Sequence, residues 1–528
     1  MTGCPVYKAR SRGHDSMFFS TPGTYSFTVT LADEQATERL VADVAALIEP
    51  GDVITLSGDL GAGKTTFARA LIRHFAGDSS VEVPSPSFTL LQTYELPRFT
   101  LVHADLYRLS GPGELAELGF EDIPESAVTV LEWPDRAAGA LPADRLDIAL
   151  TLVPAQGPAA RHARITGYGG FAQRAERVLT MRRFLDANGF GTATRRRIQG
   201  DASTRSYERL VLDGASYILM NSPKRADGPV VRDGKPYSQI AHLAEDVTPF
   251  VAVALALRER GFSAPAIFAA DRAAGLLIIE DLGEELVVAG EPPVPIEARY
   301  AVAAELLAEL HRESLPEVVP ADKGIDYRLP RYDMEAMLIE AELLLDWYLP
   351  KLQVKLAAAK RDLYLALWRD ALAPVIQAPV TWVLRDFHSP NLLWLPEREG
   401  VTRVGLLDFQ DAVLGNPAYD VASLLQDARV EVPEIMEIAL LSRYTRARLA
   451  SDRSFDAAAF ARAYATLAAQ RASKILGIFA RLDLRDGKPQ YLRHLPRVWG
   501  YLQRSLAHPA LMPLQAWYRA NVPTLRSL

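Results

Sequence analysis

Residues 53–71 read VITLSGDLGAGKTTFARAL, and Gly58-Asp59-Leu60-Gly61-Ala62-Gly63-Lys64-Thr65 within them fits G-x-x-x-x-G-K-[ST], a phosphate-binding loop. The flanks suit it. Residues 53–57 are a short apolar run of the kind that forms a buried strand, and 66–75 have the spacing of a helix that packs one face on a sheet. Gly58, Gly61 and Gly63 let the backbone curl so that successive N–H groups point inward at an anion. The helix then starts at Thr65-Thr66, with its positive dipole end facing the same anion. In this geometry Lys64 reaches the β- and γ-phosphates and the Thr65 hydroxyl binds Mg²⁺. A glycine-rich turn with an accidental lysine would need neither the strand nor the helix.

A chain of 528 residues exceeds one domain, and length alone suggests about three. A hydrophobic content of 49% with 23% charged residues is that of an ordinary soluble globular chain. Cys4 is the only cysteine, which excludes a disulfide framework and a cysteine-based metal site. The N-terminus lacks the apolar core of a signal peptide, and the longest apolar run, residues 250–257, is too short to span a bilayer. The expectation is a cytoplasmic protein. Its net charge of −7 is unevenly placed. Residues 1–170 hold 13 Lys and Arg against 21 Asp and Glu, a balance of −8, and the remainder holds 45 against 44. Phosphate neutralisation supplies most nucleic-acid affinity, so an acidic first domain is expected to reach RNA only through a protein partner.

Residues 1–22 show no periodicity and read as a disordered tail. Residues 25–31 alternate like a strand, and Asp33 caps a helix through Ile48. Downstream of the loop, residues 84–89 form a stiff turn that feeds a strand over 89–94. The apolar strand 100–103 leads to Asp105, and the strand 128–131 leads to Glu132-Trp133. An acid at the carboxyl end of a strand is where an α/β sheet faces its ligand. A P-loop ATPase needs such an acid to hold Mg²⁺ or orient water. Asp105 and Glu132 are the candidates, although spacing alone allows either to be a solvated loop carboxylate.

The ordered set GDLGAGKTT, SPSFTLLQTYE, HADLYRL, ELGFEDI and LEWPDR resembles the TsaE family over residues 24–168. That family is the small ATPase subunit of the bacterial machinery that makes threonylcarbamoyladenosine beside the anticodon of certain tRNAs. The resemblance implies an ATP·Mg²⁺ site with Thr65 and Glu132 as metal ligands, Asp105 essential for hydrolysis and Trp133 near the nucleotide. It also implies a switch-like loop at 85–89, and TsaD and TsaB as partners. Ser87 departs from the family's usual Thr but keeps the hydroxyl.

Residues 145–153 and 161–167 read as two strands, and Gly167-Tyr168-Gly169-Gly170 breaks the pattern. A domain boundary is therefore expected at about 170, with a basic helix beginning at Ala172. Residues 173–283 then read as mainly strands, and 284–528 as mainly helices rich in Ala, Leu and Glu. The chemistry lies in TWVLRDFHSPNLLWL, residues 381–395, where Asp386 and Asn391 are five apart, and in VGLLDFQ, residues 404–410, where Asp408 follows a strand. Asp, Asn five later and a second strand-borne Asp is the arrangement of a protein-kinase catalytic loop with its metal-binding acid. The first Asp meets the acceptor hydroxyl, while the Asn and second Asp hold the magnesium that bridges the phosphates. Turns rich in Asp and Asn are common in loops, so the upstream glycine turn adds to the argument.

With GDASTRSYERL, IIEDLG and LLDFQDAVLGNPAYDVASL, this half resembles the aminoglycoside-phosphotransferase-like kinases. Within them it is similar to the AmgK group, which phosphorylates N-acetylmuramate and N-acetylglucosamine in cell-wall recycling. The resemblance implies Asp386 as catalytic base, Asn391 and Asp408 as Mg²⁺ ligands, and the turn from Gly200 through Ser203 to Arg205 over the ATP phosphates. It also implies Glu280 to Leu282 as the adenine hinge and Asp420 as a structural tie to the catalytic loop. Two departures stand out. Leu384 replaces the usual His before the catalytic Asp, and the third strand reads Tyr217-Ile218-Leu219-Met220 with no Lys. Arg205 and Lys224 are the candidate replacements, His388 reads as a loop brace and His311 as a packing residue. The expected fold class is two-domain: an α/β P-loop NTPase domain at 23–170, then an α+β, protein-kinase-like bilobal domain at 171–528. The expected function is bifunctional. The readings left open for the second half are a pseudokinase regulator, or a kinase of an aminoglycoside, a choline-like alcohol or homoserine.

Overall fold

A computed structural model describes residues 19–21, 23–109, 114, 122–137, 139–198, 205–224, 228–313 and 315–523. The expected tail therefore lies almost wholly outside the described residues, as do Gly200, Ser203 and the first five residues of ELGFEDI. The chain divides into two compact units, Met1–Asn221 with Leu276–Ile278, and Ser222–Gly275 with Ile279–Leu528.

The first unit is built on an eight-stranded sheet: β1 Phe19–Thr21, β2 Thr24–Leu31, β3 Val53–Ser57, β4 Leu91–Glu95, β5 Thr100–Asp105, β6 Val128–Glu132, β7 Arg145–Leu152 and β8 Arg161–Tyr168. Its order is β1-β2-β8-β7-β3-β6-β5-β4. The pairs β3–β6, β3–β7 and β5–β6 are parallel and the outer pairs antiparallel. The parallel centre explains the near-continuous apolar runs, since both faces are covered. Ile54, Leu56, Val128, Val130 and Ile148 join Phe67, Leu71 and Ile72 in one core with α1 Glu34–Ala45 and α2 Lys64–Ala76. Asp33 caps α1 by accepting from the Ala36 N–H at 2.7 Å.

The strand expected over 89–94 begins later, at Leu91. Leu90 lies at φ +63 and its N–H bonds Pro86 O, so a turn occupies the positions ahead of it. More consequential is the end of this unit. Helix α3 Phe171–Ala187 and strands β9 Thr194–Ile198, β10 Ser206–Leu212 and β11 Ala215–Asn221 cluster with the P-loop sheet, past the expected boundary at about 170. Apolar packing and charge pairing both join them: Phe171, Ala175, Val178 and Leu179 of α3 enter the same core as β3 and α2, while β9–β11 pair in a separate sheet and are tied on by charge. Asp43 of α1, fully buried, accepts from Arg182 of α3 at 2.7 Å and from Arg195 of β9. Arg195 also forks onto Glu208 of β10 at 2.8 and 2.9 Å, and Arg197 caps Ala46 O at 3.0 Å.

The second unit is mainly helical. Its longest helices are Ala457–Leu484, Ala358–Ile376 and Glu434–Ser451. The helix Met334–Leu343, capped by Asp333, passes into a π-helical turn at Leu344–Tyr348. Gly477 of the long helix is needed there, because a Cβ would lie 2.3 Å from the Leu343 carbonyl carbon. Two short antiparallel pairs carry the chemistry: Thr381–Val383 with Val413–Gly415, and Leu392–Trp394 with Val404–Leu406. Among the described residues no helix is long and apolar enough to cross a membrane.

Candidate functional site

In the first unit the register of the parallel strands sets the site. Asp105 at the end of β5 pairs with Glu132 at the end of β6, and Glu132 pairs with Leu56, just before the loop that leaves β3. Gly58, Gly61 and Gly63 have φ of +134, +80 and +104. At Gly58 a Cβ would meet Leu150 O at 2.2 Å, so side chains are excluded there by both conformation and space. Gly63 caps the start of α2, aiming its N-terminus into the loop. Asp59, Leu60 and Gly61 are exposed at the loop crest, while Ala62 and Lys64 are buried, with Thr65 and Thr66 between these extremes.

The expected residues converge here. The Thr65 hydroxyl donates to Glu132 Oε2 at 2.9 Å, and His103 Nε2 lies 3.0 Å from Glu132 Oε1. Lys64 Nζ donates to Gly58 O at 2.8 Å and Asp59 O at 3.0 Å, and sits 3.6 Å from the centre of the Trp133 ring. Burial pulls the Lys64 ammonium below its usual range, opposed by Glu132, Asp105 and Asp59. Asp105 accepts from Ser85 Oγ at 3.2 Å, which ties the loop at 85–89 to this acid. A hydroxyl beside one carboxylate is a hard-oxygen donor set of the kind Mg²⁺ takes together with phosphate oxygens. Two contributors were not read from the sequence. His103 sits inside the HADLYRL motif, so its place two residues before Asp105 was a usable signal. Arg161, whose Nε donates to Ala62 O at 2.7 Å from β8, gave none.

In the second unit, Asn391 Nδ2 donates to Asp386 O at 2.9 Å, closing the catalytic-type loop on itself. Asp408 stands half-buried at φ +56, its carboxylate accepting from Gln410 Nε2 at 2.8 Å. Asp420 is fully buried and accepts from the Leu384 N–H at 2.6 Å and the Arg385 N–H at 2.9 Å. Burial pushes its carboxyl up to about 7, against the pull of those two N–H groups. Burial also works to raise the Asp386 carboxyl, but the neighbouring charges, Lys474, Arg471 and Arg385 among them, outweigh it and hold the group below the usual range. His388 is buried, with Nε2 3.9 Å from Asp386 Oδ1 and Nδ1 without a hydrogen-bond partner. Burial lowers its pKa to about 4, so it is neutral at physiological pH, and no hydrogen bond of a loop brace is formed by its ring. His311 is buried as expected, with Nδ1 on the Tyr444 hydroxyl at 2.8 Å, while its Nε2 makes no hydrogen bond and lies 4.0 Å from Asp420 Oδ2.

Glu280 is held by Arg258 at 3.1 Å and Arg398 at 2.7 Å. Leu282 joins Leu393 and Leu395 in a small apolar cluster, and Glu280, Leu282, Trp394 and Arg398 line a cavity of about 410 Å³. Of the two cations offered for the missing Lys, Arg205 belongs to the first unit and Lys224 is exposed in the second. Beneath the loop lies a buried network that the sequence did not disclose. Glu340 accepts from Arg385, from Lys474 at 2.7 Å, from Gln470 at 3.2 Å and from the Tyr332 hydroxyl.

Comparison with known proteins divides along the same lines. The model of the family described as threonylcarbamoyl adenosine biosynthesis protein TsaE matches residues 31–159, and that of the phosphotransferase enzyme family matches residues 194–464. An N-acetylmuramate/N-acetylglucosamine kinase of Caulobacter vibrioides is 41% identical over 362 residues, 66% of this chain and 98% of that protein. Its namesake in Neisseria meningitidis serogroup B is 33% identical over 324 residues, 60% of this chain and 87% of that protein. A tRNA threonylcarbamoyladenosine biosynthesis protein TsaE of Rickettsia bellii is 40% identical over 123 residues, 23% of this chain and 85% of that protein. These families use ATP with Mg²⁺. The chain belongs to the TsaE family in its first part and to the phosphotransferase enzyme family in its second, and is a bifunctional ATPase and phosphotransferase.

Proposed function

We propose that the first part supplies the ATPase step of tRNA threonylcarbamoylation in concert with TsaD and TsaB. The second part phosphorylates N-acetylmuramate and N-acetylglucosamine, at the anomeric hydroxyl, for cell-wall recycling. In the first site Lys64 and the loop N–H groups hold the phosphates, Thr65 and Glu132 take Mg²⁺, Asp105 orients the attacking water and Trp133 borders the nucleotide. The metal neutralises charge on the transferring phosphoryl group. In the second site Asp386 orients the sugar hydroxyl and accepts its proton, and Asn391 and Asp408 take Mg²⁺. Glu280 and Leu282 border the adenine, and Gly200, Ser203 and Arg205 cover the phosphates.

One observation carries most of the kinase reading: an ionised Asp386 whose own carbonyl is bonded by the Asn391 side chain, directly after the two backbone N–H groups clamped by Asp420. The test gives the purified full chain ATP, Mg²⁺ and a panel of N-acetylated sugars, aminoglycosides and amino alcohols, with phosphate transfer read by ³¹P NMR. Transfer to N-acetylated sugars is expected, and transfer confined to another class overturns the acceptor assignment. For the first part, the chain is added to TsaD, TsaB and tRNA. Lys64→Ala is expected to stop modification, and a fully competent Lys64→Ala protein overturns the assignment.

A further inference from the structure

In the first unit, the acid proposed to take Mg²⁺ is anchored from its buried side. β5 reads Thr100-Leu101-Val102-His103-Ala104-Asp105, and alternation along a strand puts His103 and Asp105 on one face of the sheet. In the parallel register Asp105 stands opposite Glu132 and His103 opposite Val130, so His103 lies one same-face step before Glu132. Its Nε2 is 3.0 Å from Glu132 Oε1, while Glu132 Oε2 accepts from the Thr65 hydroxyl at 2.9 Å. The pair is closed to solvent: the His103 side chain is 0% exposed and that of Glu132 is 1% exposed.

The chemistry of the two groups fixes the direction of that bond. A carboxylate accepts hydrogen bonds and does not donate them, so the shared proton sits on Nε2. The other ring nitrogen, Nδ1, is buried with no hydrogen-bond partner, which leaves the bond to Glu132 as the only one the ring makes among the described residues. Burying a polar ring costs free energy, and an apolar side chain would fill this place in the strand at lower cost. What the imidazole adds is that one bond. The last torsion of a Glu side chain is broad, so a carboxylate held at one oxygen swings. Thr65 is itself a proposed metal ligand and lies on the loop side. His103 is fixed within β5 and holds the other oxygen.

We propose that His103 is a positioning residue of the P-loop site: its Nε2–H holds Glu132 Oε1 and so presents Oε2, beside Thr65, to Mg²⁺. This rests on the reading of Glu132 as a metal ligand. Partners one step out from a ligand contribute about tenfold to a hundredfold in metal affinity. His103 orients the ligand; it neither binds the metal nor takes part in hydrolysis.

Metal binding is measured directly on the full chain as Mn²⁺ bound in the presence of ADP, read by EPR without turnover. The chain carries two nucleotide sites, so Glu132→Gln identifies the P-loop component as the one that this variant removes. His103→Leu keeps the core filled but deletes the donor, and that component is expected to weaken by about tenfold to a hundredfold. His103→Asn, whose shorter amide falls short of Glu132 while staying polar, is expected to weaken it likewise. His103→Gln, whose amide places an N–H near the position of Nε2, is expected to recover most of the affinity. An unchanged component in the Leu and Asn variants, or a loss in the Gln variant equal to theirs, overturns the inference and leaves Glu132 a ligand. A Glu132→Gln chain that loses no component overturns both.

Discussion

Arg385 shows how much a single position can hold. It lies at φ +67, a left-handed conformation that costs a bulky side chain of the order of 1–3 kcal/mol. The fold keeps it there from every side. Its N–H goes to Asp420, its carbonyl accepts from the Ser423 hydroxyl at 3.2 Å, and its guanidinium donates to Ala241 O at 2.8 Å and to Glu340. The next residue is Asp386, so each of these contacts fixes the direction of the proposed base. Burial works against the Arg385 charge, but Glu340 more than compensates and keeps the guanidinium protonated. Arg385→Gly separates the two contributions. Glycine accepts this φ at no cost but anchors nothing, so the backbone can stay in place without being held there. The expected result is a kcat for sugar phosphorylation lower by about tenfold to a hundredfold, the range for a misplaced catalytic group, with KM for ATP little changed. A wild-type kcat in this variant would mean that the Glu340 clamp does not position Asp386.

At the scale of elements, the strands β9 and β10 lie in a separate sheet but are tied to α1 through the buried Asp43–Arg195–Glu208 chain. Burial works to lower the pKa of Arg195, but the two carboxylates overcome it and hold the guanidinium charged. Removing one partner of such a pair is far more costly than the pair is worth, because a buried charge is left uncompensated. Asp43→Asn should therefore destabilise the first unit by about 3–5 kcal/mol. A lowered midpoint for the first thermal transition of the full chain checks this. An unchanged midpoint would show that Arg182 and Arg195 find water or another carboxylate. This chain of charges also explains what could be read from sequence. The strand, glycine loop and helix at 53–76 were legible because their chemistry is local, and so was the catalytic loop, whose residues lie five apart. Asp43 and Arg195 lie on either side of the glycine break at 167–170 and carry no mark of being partners, so nothing in the sequence signals that the compact unit continues to Asn221, while the two family matches, 31–159 and 194–464, fall on either side of the break. Glu340 and Arg385 were hidden in the same way. Each is an ordinary charged residue in a helix or a loop until folding buries it against the other.

For the molecule as a whole, the question is whether two nucleotide chemistries share one chain without sharing residues. The first set, Lys64, Thr65, Asp105 and Glu132, is assembled by the ends of β3, β5 and β6. The second, Asp386, Asn391 and Asp408, is assembled by two short strand pairs and the Asp420 clamp. Neither set of acids draws on the other unit. Asp386→Asn keeps size and hydrogen bonding but removes the carboxylate proposed to receive the sugar proton. It should lower sugar phosphorylation by about a hundredfold or more, the usual contribution of a positioned base. P-loop ATP hydrolysis should be unaffected. Lys64→Ala should do the reverse, removing the cation that the phosphates meet and leaving sugar-phosphate formation near the wild-type rate. Both activities are measured on both variants of the full chain, with TsaD and TsaB present for the hydrolysis assay. Intact sugar phosphorylation in Asp386→Asn would refute the assignment of the base. Loss of both activities in each variant would mean that the sites are coupled. The coupling would then have to be sought where β9 is held to α1 through Arg195 and Asp43.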